Sequence, residues 1–217
     1  MVQRIVSMIK NAAARKWVFF GDSITQGYQF TNGGRWFSEL FTEQLKVGMR
    51  RYNDVIINTG IAGNTTNDLL LGFDWRVAHF KPDVVFLMIG MNDCAHGSVA
   101  LTDFEANLQK LIGLIRDVGA LPVMQTTSTL IKGQAPGREE NFPIFMNTVR
   151  CLAAKNELPI VDHTAYWDAN QERTHLWMAN AYHPNEFGHR VLAEEIYKAT
   201  GLDHPLAPID RPSFPMS

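Results

Sequence analysis

The stretch that decides the fold is "VFFGDSITQG", residues 18–27, in which an apolar run leads through a glycine into an acid, a serine and a threonine. A continuous apolar run is typical of a strand that is covered on both faces of a sheet. The polar residues after it fit either a turn with a helix cap or a nucleophilic serine held at the rim of the sheet. Because a serine nucleophile needs a base to activate it, the rest of the sequence can be searched for that partner.

Four more apolar runs follow the first one and alternate with segments of helical periodicity. The five strand candidates occupy residues 17–21, 55–59, 84–89, 121–125 and 159–162. The helix candidates occupy residues 36–45, 104–115 and 187–196, the last between Pro184 and Gly201, with weaker patterns over 65–79 and 139–156. Repeated strand–helix units predict an α/β fold of three layers, α/β/α, with a five-stranded parallel sheet at the centre.

Length and charge limit the classes of function. With 217 residues, of which 46% are hydrophobic and 19% charged, the chain is predicted to form a single domain over residues 1–217. A formal net charge of -2 does not favour a nucleic-acid-binding protein, which usually carries an excess of basic residues. No window approaches about 18 uninterrupted apolar residues, so we expect no membrane span. Assembly into a homo-oligomer is left open.

The two ends of the chain and its cysteines complete this outline. Residues 1–15 predict an amphipathic helix without the apolar core of a secretory signal, and the proline-rich residues 202–217 predict an extended tail. Cys94 and Cys151 are the only cysteines. Two cysteines without a secretory signal favour a reducing, cytoplasmic location, and we expect both thiols to be buried.

Polar segments follow the predicted strands, and one more precedes the last helix. They are the serine segment, "NTGIAGNTT" (58–66), "IGMNDC" (89–94) and "NAYHPNEFGH" (180–189). Ligands of open parallel sheets bind at the carboxyl ends of the strands, where the strand order reverses. We therefore expect these segments to meet at one edge of the sheet.

Acyl-transfer chemistry can be assembled from these segments. Ser23 is the candidate nucleophile, and His183, directly before Pro184 at a helix start, is the preferred base among seven histidines, with His163 in reserve. The backbone N–H groups of Ser23 and Gly63 and the side-chain amide of Asn92 are candidate donors to an oxyanion. Taken singly, Gly63 is better explained by a turn and Asn92 by a cap, but their shared order at the ends of successive strands favours the catalytic interpretation.

Four of these motifs together resemble the conserved blocks of the SGNH hydrolase superfamily, also called GDSL esterases. They are "GDSIT" (21–25), "GIAGNT" (60–65), "GMND" (90–93) and "HPN" (183–185). The resemblance covers about residues 16–201 and is closest to the small carbohydrate acetylesterases. It implies a flavodoxin-like fold and ester hydrolysis, with Ser23 as nucleophile and donor, Gly63 and Asn92 as further donors, and His183 as base.

The last block departs from the family's usual Asp-x-x-His, because the residue three before His183 is Asn180. The carboxylate of a triad fixes the histidine tautomer and stabilises the imidazolium, and an amide carries no charge for the second task. Three explanations remain. Asn180 orients His183 through its oxygen in a weaker enzyme, Asp162 or Glu172 replaces the acid, or the sequence is an engineered variant.

We expect the substrate to be a small acyl ester, an acetyl ester above all, on a carbohydrate or another small molecule. The residues predicted to line the substrate site are Asp22, Asn64, Trp36 and Trp177, although Asp22 is also explained by bonds to the backbone of its turn. The sequence has no H-E-x-x-H or C-x-x-C spacing, so no metal or other cofactor is expected. The competing hypotheses are an impaired scaffold that binds acylated glycans, and a lysophospholipase or thioesterase of the same family.

Overall fold

The computed structural model describes residues 2–96 and 101–202, which form a five-stranded parallel sheet in the order β2-β1-β3-β4-β5. The strands are β1 (Lys16–Gly21), β2 (Val55–Asn58), β3 (Val84–Met88), β4 (Leu121–Gln125) and β5 (Ile160–Val161). The predicted parallel α/β sheet is confirmed. The strand order reverses between β1 and β3, since the chain passes from β1 to β2 on one side and returns to β3 on the other. This switch point is where ligands bind in such sheets.

Two groups of helices cover the sheet. The helices are α1 (Val2–Lys10), α2 (Ser23–Gln26), α3 (Phe37–Glu43), α4 (Thr66–Leu71), α5 (Phe73–Arg76), α6 (Leu101–Asp117), α7 (Phe142–Lys155), α8 (His163–Asp168), α9 (Thr174–Trp177) and α10 (Glu186–Thr200). Helix α10 packs against both α1 and α3, and in the second group α6 packs against both α4 and α7. Within the described residues, no helix has the length and apolarity needed to cross a membrane.

The core is dense with aromatic rings because the central strands are apolar on both faces. Phe19 of β1 stacks on Phe86 of β3 with ring centroids 4.7 Å apart, and it meets Phe37 and Phe41 of α3 edge-on. Trp17 lies at the other end of β1 and donates its indole N–H to Asp54 over 2.8 Å. These contacts hold the two strands that flank the switch point in a fixed register.

Several sequence predictions about individual elements and side chains need correction. The weak helix over residues 65–79 is broken at Gly72 into α4, α5 and a 3₁₀ turn, and β5, at one edge of the sheet, is only two residues long. The periodicity over residues 187–196 predicts Phe187 on the same buried face as Val191, Leu192 and Ile196, yet Phe187 is exposed. Cys151 is also exposed, whereas Cys94 is buried as predicted. The predicted tail lies outside the described residues, apart from Leu202.

Candidate active site

Ser23 lies where β1 turns into α2, at the switch point of the sheet. Asp22 caps α2 by accepting a hydrogen bond from the Ile24 backbone N–H over 2.9 Å. Gly60 of the next loop approaches this turn so closely that a Cβ on it would lie 2.4 Å from the Gln26 nitrogen. The serine is therefore held by a short capped helix on one side and a glycine contact on the other.

His183 reaches Ser23 from the segment before α10. Its Nε2 lies 2.9 Å from Ser23 Oγ, which is hydrogen-bonding distance between a nucleophile and its base. An antiparallel bridge between Met178 and Pro184 braces the segment, and the backbone N–H of Ala179 donates to the His183 carbonyl over 2.8 Å. The structure thus brings together the serine and the histidine that the sequence analysis selected.

Asn180 occupies the position behind the imidazole. Its Oδ1 lies 3.1 Å from His183 Nδ1 and also accepts hydrogen bonds from the backbone N–H groups of Tyr182, over 3.1 Å, and His183, over 2.9 Å. Because two backbone donors point at this atom, it must be the amide oxygen and not the nitrogen. An acceptor facing Nδ1 places the proton on Nδ1 and leaves the Nε2 lone pair directed at Ser23.

Neither alternative acid serves the histidine. Asp162 caps α8, accepts two hydrogen bonds from Arg150 and one from Thr126, and lies at the β5 edge of the sheet. Glu172 is exposed and pairs with its neighbour Arg173 at 3.8 Å. In the described part of the chain, no hydrogen bond or ion pair joins a carboxylate to His183.

Three groups remain candidate donors to an oxyanion formed at Ser23. Among the described residues, the backbone N–H groups of Ser23 and Gly63 have no hydrogen-bond acceptor. Gly63 is exposed, has a φ of 80°, and faces open space, because a Cβ there would meet nothing within 4 Å. Asn92 donates one Nδ2 hydrogen to the Asn64 carbonyl over 2.9 Å, which orients the amide and leaves its second N–H unused by this bond.

The base is nearly buried and lies close to one positive charge. His183 is 8% exposed, and the Phe30 ring stacks on the imidazole with centroids 3.7 Å apart. Burial, together with the positive charge of Arg138, lowers the pKa of His183 to about 4. Arg138 donates to the Met91 carbonyl over 3.1 Å, and its guanidinium lies 4.3 Å from the centre of the Tyr182 ring. At neutral pH the imidazole is therefore uncharged and able to accept a proton.

Two of the predicted substrate residues are not available to a ligand. Asp22 is completely buried, and burial raises its pKa to about 7, so its contribution is the helix cap. Trp177 is 9% exposed and packs against Trp167 with ring centroids 5.4 Å apart. Both predictions are wrong because these side chains are enclosed by neighbouring elements. Trp36 packs over Gly27 at the start of α3, and its role in binding stays a prediction.

The reserve base is also excluded. His163 is completely buried, burial lowers its pKa to about 3, and its Nε2 lies 3.1 Å from Gln125 Oε1. Sequence reasoning missed Arg138 and Arg76. Arg138 lies in an irregular loop that carries no pattern. Arg76 follows Leu69 and Phe73 at helical spacing, so its position on the buried side of α4 and α5 was visible in the sequence.

The electrostatic effect of Arg138 predicts how the imidazole titrates. Replacing Arg138 by Met removes a cation that disfavours the imidazolium, so the pKa of His183 should rise from about 4 towards its ordinary value. Arg138→Lys keeps the charge and should leave the pKa low. NMR titration of the His183 ring measures both. Equal pKa values in the Met and Lys variants would show that Arg138 does not act through its charge.

Comparison with known proteins places this site in a family. The chain matches the GDSL-like lipase/acylhydrolase family over residues 19–191. It is 26% identical to an acetylxylan esterase of Geobacillus stearothermophilus over 216 residues, 90% of this chain and 98% of that protein. It is 34% identical to an arylesterase of Vibrio mimicus over 112 residues, 52% of this chain and 54% of that protein. A match to a Mycoplasma pneumoniae protein, 32% identical over 51% of this chain, covers only 13% of that protein.

Solved structures agree with this assignment. The acetyl xylan esterase AlAXEase is 27% identical, with a TM-score of 0.71 over 85% of this chain and 98% of that one. The fold of Axe2, an acetylxylan esterase from Geobacillus stearothermophilus, superimposes with a TM-score of 0.74 over 87% of this chain. The chain belongs to the GDSL-like lipase/acylhydrolase family of ester hydrolases and has the SGNH hydrolase fold.

Proposed function

We propose that this protein is a serine esterase that removes small acyl groups, acetyl above all, from carbohydrates or other small alcohols. The observation that carries the proposal is a pair of hydrogen bonds through the His183 ring. Ser23 Oγ lies 2.9 Å from Nε2, and Asn180 Oδ1 lies 3.1 Å from Nδ1. This is the arrangement of a nucleophile, a base and a group that orients the base.

The geometry supports acylation in the following way. Ser23 Oγ attacks the ester carbonyl carbon while its proton passes to His183 Nε2. The carbonyl oxygen becomes an oxyanion, which the N–H groups of Ser23 and Gly63 and the remaining N–H of Asn92 stabilise. His183 then gives its proton to the departing alcohol, which leaves an acyl-serine. Water then attacks the acyl carbon while it loses a proton to the same nitrogen. As the bond from the acyl carbon to Ser23 Oγ breaks, His183 returns that proton to Oγ, which releases the acid and the free serine.

Asn180 performs one of the two tasks of a triad aspartate. In serine proteases, replacing the aspartate by asparagine costs about 10⁴ in kcat because the histidine is held in the wrong tautomer. Here two backbone N–H groups fix the amide oxygen towards Nδ1, so the productive tautomer is kept. The amide supplies no negative charge for the imidazolium that forms during the reaction. We therefore expect a working esterase with a reduced kcat.

The relatives of the chain support a small polar substrate. Acetylxylan esterases are among the proteins that this chain resembles over most of its length. A cleft of about 480 Å³ includes Ile131 in its wall, and the Ile131 backbone N–H donates to the Ala181 carbonyl over 2.9 Å. Neither Ser23 nor His183 lines this cleft, so the support for a sugar ester comes from the relatives. The single-domain organisation and the cytoplasmic location remain predictions.

Ser23 is predicted to carry the reaction. Hydrolysis of p-nitrophenyl acetate should fall to the uncatalysed rate in Ser23→Ala, and a fluorophosphonate probe should label the wild type at Ser23 only. Mass spectrometry of the labelled peptide identifies the site. Undiminished hydrolysis by Ser23→Ala, or labelling of another residue, would refute the proposal. Binding of an acetylated oligosaccharide without any Ser23-dependent turnover would favour the glycan-binding scaffold instead.

A carboxylate in place of the Asn180 amide is predicted to raise kcat. In Asn180→Asp, the backbone bonds to the side-chain oxygen remain possible and a negative charge faces the imidazolium. We expect kcat to rise roughly tenfold or more, in proportion to about 1.4 kcal/mol of transition-state stabilisation per factor of ten. Because the carboxylate favours the protonated ring, the acid limb of the kcat/KM profile should also move to higher pH.

Matched controls separate this role from the alternatives. Asp162→Asn should lower stability, because it breaks the ion pair with Arg150 while the side-chain oxygen can still cap α8, and kcat should stay near the wild-type value. Glu172→Gln should change neither. A large loss of kcat in either control, with no gain in Asn180→Asp, would show that the orienting site is assigned to the wrong residue.

A further inference from the structure

Arg76 is a buried cation close to the candidate site. It lies at the end of α5 and is 1% exposed. Among the described residues it forms no ion pair, and Asp68 is the acid that influences its charge. Burial lowers the pKa of Arg76 to about 10, so the guanidinium is still charged at neutral pH. Burying a charge is costly unless its donors form hydrogen bonds, so the acceptors of the Arg76 guanidinium indicate which segments it stabilises.

All of its acceptors are oxygens of the segments that build the site. Nε donates to the Thr59 carbonyl over 3.0 Å, and Nη2 donates to the carbonyls of Thr59 and Gly21. Nη1 donates to Asn64 Oδ1 over 2.6 Å. The guanidinium also lies over the Phe20 ring, 4.6 Å from its centre. One planar side chain thus ties the end of β1 to the loop that follows β2.

These contacts reach each of the three proposed oxyanion donors. Gly21 is two residues before Ser23, and Asn64 directly follows Gly63. The Asn64 carbonyl accepts the hydrogen bond that orients the Asn92 amide. The distance between the serine loop and the glycine loop, and the direction of the Asn92 side chain, therefore depend on where Arg76 holds these residues.

We propose that Arg76 is the positioning residue of the oxyanion hole, which it assembles by binding the serine and glycine loops at once. This inference rests on the proposed esterase function. The guanidinium suits the task because it presents five donors in a rigid plane, whereas the lysine ammonium is a single compact point with three donors. Donors help catalysis only where they meet the developing oxyanion, and a shift of about 1 Å in such a group can cost about 10²-fold in rate.

The structure contains a matched control. Arg51 is also a buried arginine and donates to the backbone carbonyls of Ile9, Asn11 and Ala13, but it lies before β2, at the amino ends of the strands. Arg51 also pairs with Asp54, whereas Arg76 has no such ion pair in the part of the chain that the structure describes, so Arg51→Lys should cost at least as much stability as Arg76→Lys. Only Arg76→Lys disturbs the oxyanion donors, so the pair separates loss of stability from loss of catalysis.

The test compares the two variants by kinetics and by inhibitor binding. For Arg76→Lys we expect kcat on p-nitrophenyl acetate to fall at least about tenfold with KM within about twofold of the wild type. A trifluoromethyl ketone, whose serine adduct places an oxyanion in the hole, should bind more weakly by a similar factor. Arg51→Lys should lower the urea midpoint of unfolding while kcat and inhibitor affinity stay at wild-type values.

The outcomes distinguish this inference from the function on which it rests. Wild-type kcat and inhibitor affinity in Arg76→Lys, with hydrolysis still abolished in Ser23→Ala, would overturn the role of Arg76 and leave the esterase intact. Equal losses of kcat in the two arginine variants would show that Arg76 acts only through general stability. Absence of Ser23-dependent hydrolysis in the wild type would overturn the proposed function itself.

Discussion

The hydrogen bonds that the backbone N–H groups of Tyr182 and His183 donate to the Asn180 side-chain oxygen set the chemistry of the whole site. An asparagine beside a histidine can face it with either end of the amide, and only the oxygen favours the tautomer that can take a proton from Ser23. The backbone N–H groups of Tyr182 and His183 fix the oxygen end of the amide towards the histidine. A substitution that removes the charge of a triad acid therefore does not by itself reverse the tautomer.

The sheet makes this arrangement accessible to the serine. Parallel strands end at one edge, and the reversal of strand order between β1 and β3 opens a crevice there. Ser23 enters the crevice from β1, Asn92 from the loop after β3, and His183 from the segment before α10. Two arginines contact these segments, since Arg138 lies over the Tyr182 ring next to the histidine and Arg76 donates to Asn64 of the glycine loop. Both charges suit a reaction in which an oxyanion forms and the base starts out neutral.

Sequence reasoning located the elements that short motifs define. The five strands and the Ser23–His183 pair were predictable because each lies in an apolar run, at a strand end or at a helix start with a recognisable pattern. Gly63 and Asn92 were selected in the same way, and their role as oxyanion donors stays a prediction. Residues whose surroundings come from distant segments were not predictable in this way. Trp177 looked accessible, but Trp167 and neighbouring side chains enclose it. The choice among Asn180, Asp162 and Glu172 depended on which side chain faces His183, and only tertiary geometry could decide it.

The tautomer of His183 tests the central claim most directly. In protein labelled with ¹⁵N-histidine, the two ring nitrogens of a neutral imidazole differ in chemical shift according to which one carries the proton. At pH 7, well above a pKa of about 4, we predict a neutral ring with the proton on Nδ1 and an unprotonated Nε2. His183→Gln identifies the signals. A ring with the proton on Nε2 would contradict the account, because Asn180 would then not hold the base in its productive form.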